Sequence, residues 1–188
     1  MKKRTLAEIL AVVIAVMLTG CSNNESDAVG VIGGADGPTT VVVGEEIENE
    51  RFFRELYIDD LNNKYNQLLI DQEAFFNAHY VETEQDVDFD TIIATAEKCI
   101  STFEAIIAIE PPESLASYHE QVIEGAEYEI KFFKGVIQAT KYDFGELDMS
   151  EQEKEELQAF FTEYSEAESN LFVDAYIAVL EAAAGIVQ

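Results

Sequence analysis

Residues 90–109 read DTIIATAEKCISTFEAIIAI, and this stretch decides the fold class. Its apolar residues recur every three or four positions, which is the repeat of one face of an α-helix. The stripe comprises Phe89, Ile92, Ile93, Ala96, Cys99, Ile100, Phe103, Ile106 and Ile107. Pro111 and Pro112 follow. Because the residue before a proline is disfavoured in the α region, the helix is predicted to end there.

Three further helices are predicted from the same spacing. They cover about residues 45–80, 113–141 and 150–185. The last begins with Ser150-Glu151-Gln152-Glu153, a capping-box pattern that satisfies free N–H groups of the first turn. In the first, the stripe begins at Phe53 and Leu56, and only one face is expected to be buried. Since long amphipathic helices with short connections pack antiparallel, residues 45–188 are predicted to form an all-α, antiparallel up-and-down four-helix bundle with an aromatic core.

The N-terminus has the pattern of an export signal. Met1-Lys2-Lys3-Arg4 is basic, and residues 9–18 are apolar and uncharged. As a helix this run would rise only about 15 Å, whereas the hydrocarbon core of a bilayer is about 30 Å thick. The run is therefore predicted to be part of a signal peptide and not a membrane span.

The end of this leader resembles the lipobox of bacterial lipoproteins, here Leu18-Thr19-Gly20-Cys21. The resemblance implies that residues 1–20 are removed as a signal peptide and that Cys21 is acylated and becomes the first residue. Two or three acyl chains anchor a protein more firmly than one chain does. We expect the protein on the extracytoplasmic face of a bacterial cell membrane, with the lipid bilayer as its partner through acylated Cys21.

Lipidation makes a direct prediction for Cys21→Ser. Without the thiol that the lipobox resemblance assigns to acylation, the variant is expected to accumulate as an unprocessed or soluble form. Detergent-phase partitioning of the two forms measures this. Partitioning that is the same for both would refute lipid attachment at Cys21.

A glycine-rich apolar segment separates this anchor from the predicted helices. Residues 21–44 are expected to form a lipidated tether, and its centre, residues 32–39, reads IGGADGPT. Glycine admits positive φ, Asp36-Gly37 favours a tight turn, and Pro38 presets the next φ. The β-branched residues on both sides are compatible with a β-hairpin, which alone is marginal in water and needs a packing partner.

The same segment resembles a motif of the membrane-embedded β-subunits of sodium-pumping decarboxylases. The motif residues here are Gly33, Gly34, Asp36, Gly37, Pro38 and Thr39. In that family the segment lies at the cation path, so the resemblance implies a place for Asp36 near sodium. It covers only residues 29–43, and the many membrane spans of that family are missing from this sequence. Three interpretations stay open: a docking or sorting segment, a hairpin packed on the helices, and a cation loop.

The sequence shows no pattern typical of a catalytic or metal centre. His79 and His119 lack the glutamate three positions earlier that a di-iron bundle requires. With Cys21 assigned to lipid, Cys99 has no cysteine partner, and its place on the apolar stripe predicts a buried, inert thiol. We therefore expect no catalytic residue, no metal and no cofactor, and the protein is not expected to be an enzyme.

The acidic stretch at residues 82–97 partly matches the spacing of a calcium-binding loop. Its carboxylates at loop positions 1, 3, 5 and 12 are those of Asp86, Asp88, Asp90 and Glu97. Position 6 should be glycine and is Thr91, and the helical pattern already covers the second half of the loop. Capping of a helix N-terminus by acidic residues is the favoured interpretation.

Charge limits the classes of partner. The chain has 38 Asp and Glu against 11 Lys and Arg, a net charge of −27, which excludes a nucleic-acid partner because phosphates require basic surface.

Residues 109–113, IEPPE, resemble a turn of small helical lipoproteins. We expect a non-enzymatic surface binding or scaffold module that engages a protein partner through the glycine-rich segment or the acidic helices. The alternative is an accessory component of a sodium-dependent membrane decarboxylase or transport complex.

Overall fold

The computed structural model describes residues 44–79, 88–167 and 169–185, and this part of the chain is all-helical. The helices are α1 (Gly44–His79), α2 (Phe89–Ile107), α3 (Ala116–Phe144), α4 (Glu151–Glu166) and α5 (Leu171–Ala183), and a 3-10 turn, Glu113–Leu115, precedes α3. The all-α prediction is confirmed. The predicted signal peptide, lipidated tether and glycine-rich hairpin lie outside the described residues.

Helices α2 and α3 run in opposite directions. The ring of Phe89, at the start of α2, contacts that of Phe144, at the end of α3. Further along α2, the ring centroid of Phe103 lies 6.2 Å from that of Phe133, which comes earlier in α3. Contacts closer to the C-terminus of α2 are therefore made with residues closer to the N-terminus of α3.

Helices α1 and α3 run in the same direction. Tyr57, in the first half of α1, hydrogen-bonds His119 near the start of α3. Phe75, near the end of α1, packs edge-on against Phe133 with 5.1 Å between ring centroids. Because α3 opposes α2, α1 opposes α2 as well, and the three helices alternate in direction.

Helices α4 and α5 follow one another along the remaining side. Tyr164, at the end of α4, stacks on Phe132, whereas Lys154, at its start, lies 4.6 Å from the ring centroid of Tyr142. This order makes α4 antiparallel to α3. In α5, Phe172 stacks on Tyr65 of α1, and the Tyr176 hydroxyl donates to Oδ1 of Asn62, which comes earlier in α1. Helix α5 is therefore antiparallel to α1. The two helices therefore point the same way.

The prediction of one unbroken fourth helix from 150 to 185 is wrong. The helix ends at Glu166, and Ala167 is extended, with ψ 129°. Asn170 starts α5 because its side chain accepts a hydrogen bond from the Val173 backbone N–H at 3.0 Å. An asparagine cap competes well with continued helix, since its short side chain satisfies a free donor of the new first turn.

Two other helix starts agree with the sequence prediction. Ser150 and Glu153 form the predicted capping box, in which each side chain bonds the other residue's backbone N–H. Asp88 caps α2 by accepting from the Thr91 backbone N–H at 3.2 Å and from its Oγ1 at 2.7 Å. These hydrogen bonds lower the pKa of Asp88. The capping interpretation of this acidic residue is confirmed.

Phenylalanines fill the centre of the molecule. Phe133 contacts Phe75, Phe103 and Phe132, and all four are fully buried. None of the helices in the described part of the chain combines the length and the apolar character that crossing a bilayer requires.

The first two positions of the apolar stripe predicted in α1 are not part of this core. Phe53 is 57% exposed and Leu56 is 49% exposed. The buried face begins instead at Tyr57 and continues through Leu61 and Leu68. The physical reason is that, among the described residues, the chain that faces Phe53 and Leu56 is the turn after α2.

Candidate functional site

A groove of about 520 Å³ lies between the first half of α1 and the turn that joins α2 to α3. One wall is formed by α1 and the other by the turn. The lining residues are Glu50, Phe53, Leu56, Tyr57, Asp60, Ala108, Ile109, Glu110, Pro111, Pro112 and Glu113. Concave sites of roughly 300–1,000 Å³ are the usual size for binding small molecules or side chains. The groove is therefore the candidate functional site.

The turn that forms the second wall is held at both ends. The Ile109 backbone N–H donates to the Ile106 carbonyl, and Pro112 begins the 3-10 turn with φ −62° and ψ 155°. Leu115, at the end of that turn, is buried. The two prolines fix their own φ values, which restricts the conformations of this wall.

A side-chain hydrogen bond ties the turn to α1. The Ser114 hydroxyl donates to Oε1 of Glu50, across the mouth of the groove. The same Oε1 lies 3.9 Å from Nη2 of Arg54, one turn further along α1. Glu50 thus joins the two walls, and its charge is partly balanced.

Tyr57 lines the base of the groove and is hydrogen-bonded to a buried histidine, His119, that does not itself line the groove. The Tyr57 hydroxyl and Nδ1 of His119 are 2.8 Å apart, and the two rings meet edge to face. Burial lowers the pKa of His119, while the carbonyls of Ile107 and Ile109 act in the opposite direction. Burial also raises the pKa of Tyr57. Both groups are therefore uncharged at pH 7, so the base of the groove carries no charge.

Above that base the groove combines exposed apolar side chains with carboxylates. Phe53 and Leu56 stand one turn apart on α1, and Asp60 follows Leu56 by four positions. Glu110 and Glu113 face them from the turn. Among the lining residues there is no lysine or arginine. The surface therefore offers apolar contact within a field of negative charge.

The second hollow, of about 280 Å³, lies at the other end of α2 and α3. Asp88, Asp90, Lys141 and Glu146 are among its lining residues. Asp88 is engaged in capping, and Glu97 lies exposed on α2. No group of three or more potential metal ligands occurs within the described ranges, and Asp86 lies outside them. The carboxylates of Asp88 and Asp90 at this hollow are explained by the N-terminus of α2.

Sequence reasoning missed a buried carboxylate at the junction of α4 and α5. Glu129 in α3 is only 2% exposed. Its Oε2 accepts from the Tyr164 hydroxyl at 2.8 Å, and its Oε1 accepts from Nδ2 of Asn170 at 3.0 Å. Burial raises the pKa of Glu129 to about 7, against the effect of these two hydrogen bonds. The carboxylate ties the end of α4 and the cap of α5 to α3.

The signal for Glu129 was present in the sequence. Glu129 stands three residues after Ala126 and four before Phe133, on the same apolar stripe. A charged residue in such a place is buried only when its polar atoms are paired. The partners lie 35 and 41 residues away in sequence, which is why the pattern of α3 alone could not name them.

Cys99 behaves as the sequence predicted. It is a free, fully buried cysteine. Burial and, to a smaller extent, the nearby carboxylate of Asp71 raise the pKa of its thiol to about 12. Asp71 is itself nearly buried, and it accepts hydrogen bonds from Thr102 and Gln67. A buried thiol that stays protonated at neutral pH is a poor nucleophile.

The structure brings together only some of the residues that the sequence singled out. His119 lies under the groove, next to Tyr57. His79 stacks on Phe75 and lies 22 residues, or about 33 Å, further along α1 than Tyr57. The predicted lipid site Cys21 and the motif residues Gly33, Gly34, Asp36, Gly37, Pro38 and Thr39 lie outside the described residues. Their roles stay predictions.

Comparison with protein-family models, with curated proteins and with solved structures finds no match. The function is therefore argued from the groove itself.

Proposed function

We propose that the protein is a non-enzymatic surface lipoprotein that binds a segment of a partner protein in the groove between α1 and the Pro111-Pro112 turn. Acylated Cys21 would hold it on the extracytoplasmic face of a bacterial membrane. The helix directions support an antiparallel up-and-down bundle of four columns, in which α4 and α5 together form the fourth.

The observation that carries the proposal is the exposure of Phe53 and Leu56 inside a preformed recess. About half of each side chain is in water, which forgoes roughly 1 kcal/mol of burial for each of them. Single exposed apolar residues need no explanation, but two that line one concave site are typical of a binding surface. His119 and Cys99 are both buried away from a substrate, which favours binding over catalysis.

The matched test uses two pairs of exposed apolar residues. Phe53→Ser/Leu56→Ser alters the groove, and Leu171→Ser/Ile177→Ser alters α5, where the side chains are 55% and 46% exposed. The full-length lipid-anchored forms are cross-linked in native membranes, and the captured protein is then purified and its affinity for each form measured. We expect the groove pair to weaken binding by roughly tenfold or more and the α5 pair to leave it within about twofold.

Two results would contradict the proposal. One is equal affinity of the partner for the groove variant and the parent protein. The other is equal weakening by both pairs, which would place the contact on general apolar surface.

The alternative, an accessory of a sodium-dependent membrane complex, rests on the GGADGPT motif and Asp36. It requires association with a transporter that depends on sodium and is lost in Asp36→Asn. Sodium-independent association that survives this substitution would exclude it.

A further inference from the structure

From the charges around the groove we infer that its occupant is a cationic amphipathic peptide segment of a partner protein, with an apolar side chain seated on Phe53 and Leu56 and lysine or arginine on either side. This rests on the proposed function, because it names the chemistry of the segment that the groove binds.

The two walls supply carboxylates on both sides of the apolar centre. Asp60 lies beyond Leu56 on α1, and Glu110 and Glu113 lie on the turn. All three side chains are exposed, and none has a salt bridge within the described residues. A basic side chain on the occupant can therefore pair with each of them without displacing an existing partner.

The basic residues near the groove are already engaged. Arg51 pairs with Glu55 at 2.9 Å, and Arg54 lies near Glu50. The negative charges of Asp60, Glu110 and Glu113 at the groove are consequently uncompensated, on a chain whose net charge is −27. Like-charge repulsion disfavours both an acidic segment and a second copy of this chain as the occupant.

The apolar centre distinguishes a peptide from a small cation. Phe53 and Leu56 occupy successive turns of one helix face, so covering both requires an aliphatic or aromatic group and not an ammonium alone. The exposed ring of Phe53 can also contact a cationic group through its face. An amphipathic basic segment satisfies both parts of the groove at once.

The test measures three synthetic peptides by fluorescence anisotropy against the full-length protein in detergent micelles. The first has a Leu and Phe face flanked by Lys, the second has Glu at every Lys position, and the third keeps Lys but has Ser at the apolar positions. We expect the first to bind best, the other two to bind at least about tenfold more weakly, and added salt to weaken the first.

Matched charge variants locate the contact. Asp60→Asn/Glu110→Gln removes one carboxylate from each wall, and Glu97→Gln/Glu155→Gln removes the same charge from exposed positions outside the groove. The groove pair is expected to weaken the first peptide roughly three- to tenfold, and the outer pair less than about twofold.

The outcomes separate this inference from the proposed function. Equal binding of the charge-reversed peptide, with loss of binding in Phe53→Ser/Leu56→Ser, would overturn the cationic partner and leave the groove as the binding site. Equal weakening by both charge pairs would show general attraction to an acidic protein and would also overturn it. Binding that ignores Phe53→Ser/Leu56→Ser would overturn the proposed function itself.

Discussion

Gly125→Ala is expected to lower the free energy of unfolding by about 2–3 kcal/mol, despite the higher helix propensity of alanine. A Cβ at this position would stand 2.5 Å from Cα and 2.7 Å from the backbone N of Phe172. Backbone atoms cannot rotate away as a side chain can, so α3 and α5 would have to separate. Urea unfolding followed by circular dichroism measures the loss, which corresponds to a fall in Tm of roughly 5–10 °C.

Gly135→Ala provides the matched control on the same helix. There a Cβ would meet the side chains of Leu157 and Phe161, at 3.0 and 3.1 Å. These groups can shift by a few tenths of an ångström, and the gain in helix propensity offsets part of that cost. A change within about 1 kcal/mol is expected. Equal stability of Gly125→Ala and the parent protein would contradict the close approach of α3 and α5.

Glu129→Gln is expected to stabilise the protein above about pH 8 and to leave its stability nearly unchanged near pH 4. The folded-state pKa of Glu129 is raised to about 7 from an ordinary value of 4.5. Between these values the folded state binds more protons than the unfolded state. The stability that this group contributes is therefore fully present below pH 4.5 and is lost as the pH rises through 7.

The size of this effect follows from the shift. It amounts to on the order of 3 kcal/mol across the window. Glutamine resembles the protonated acid, since its amide can accept from Asn170 and donate to the Tyr164 oxygen. Unfolding free energies at several pH values for the parent, Glu129→Gln and the exposed control Glu127→Gln isolate this residue. A parent minus Glu129→Gln difference that does not vary with pH would show that folding does not raise the pKa of Glu129.

Most of the fold could be predicted because it depends on local pattern. The stripe in residues 90–109, the proline pair after it and the capping box at Ser150 each act within a few residues. The break between α4 and α5 could not be predicted in this way. It depends on Asn170 as a cap and on Glu129 across the interface, 41 residues away.

The candidate site could be predicted only in part. The acidic charge and the Pro111-Pro112 turn are visible in the sequence, and both contribute to the groove. The exposure of Phe53 and Leu56 cannot be predicted from the sequence, because these two residues have the same spacing as the buried residues that follow them. Periodicity shows which residues share a helix face but not how far along the helix a neighbour covers that face.

The most direct test of the groove as a binding site is site-specific photo-cross-linking in native membranes. A photoreactive amino acid replaces Leu56 in the groove or, as the control, Ile177 on α5 in the full-length protein. We expect one discrete adduct with a partner protein from position 56 and none from position 177. Adducts of equal yield from both positions, none from position 56, or a cross-link only within the same chain would contradict the proposal that the groove binds a partner.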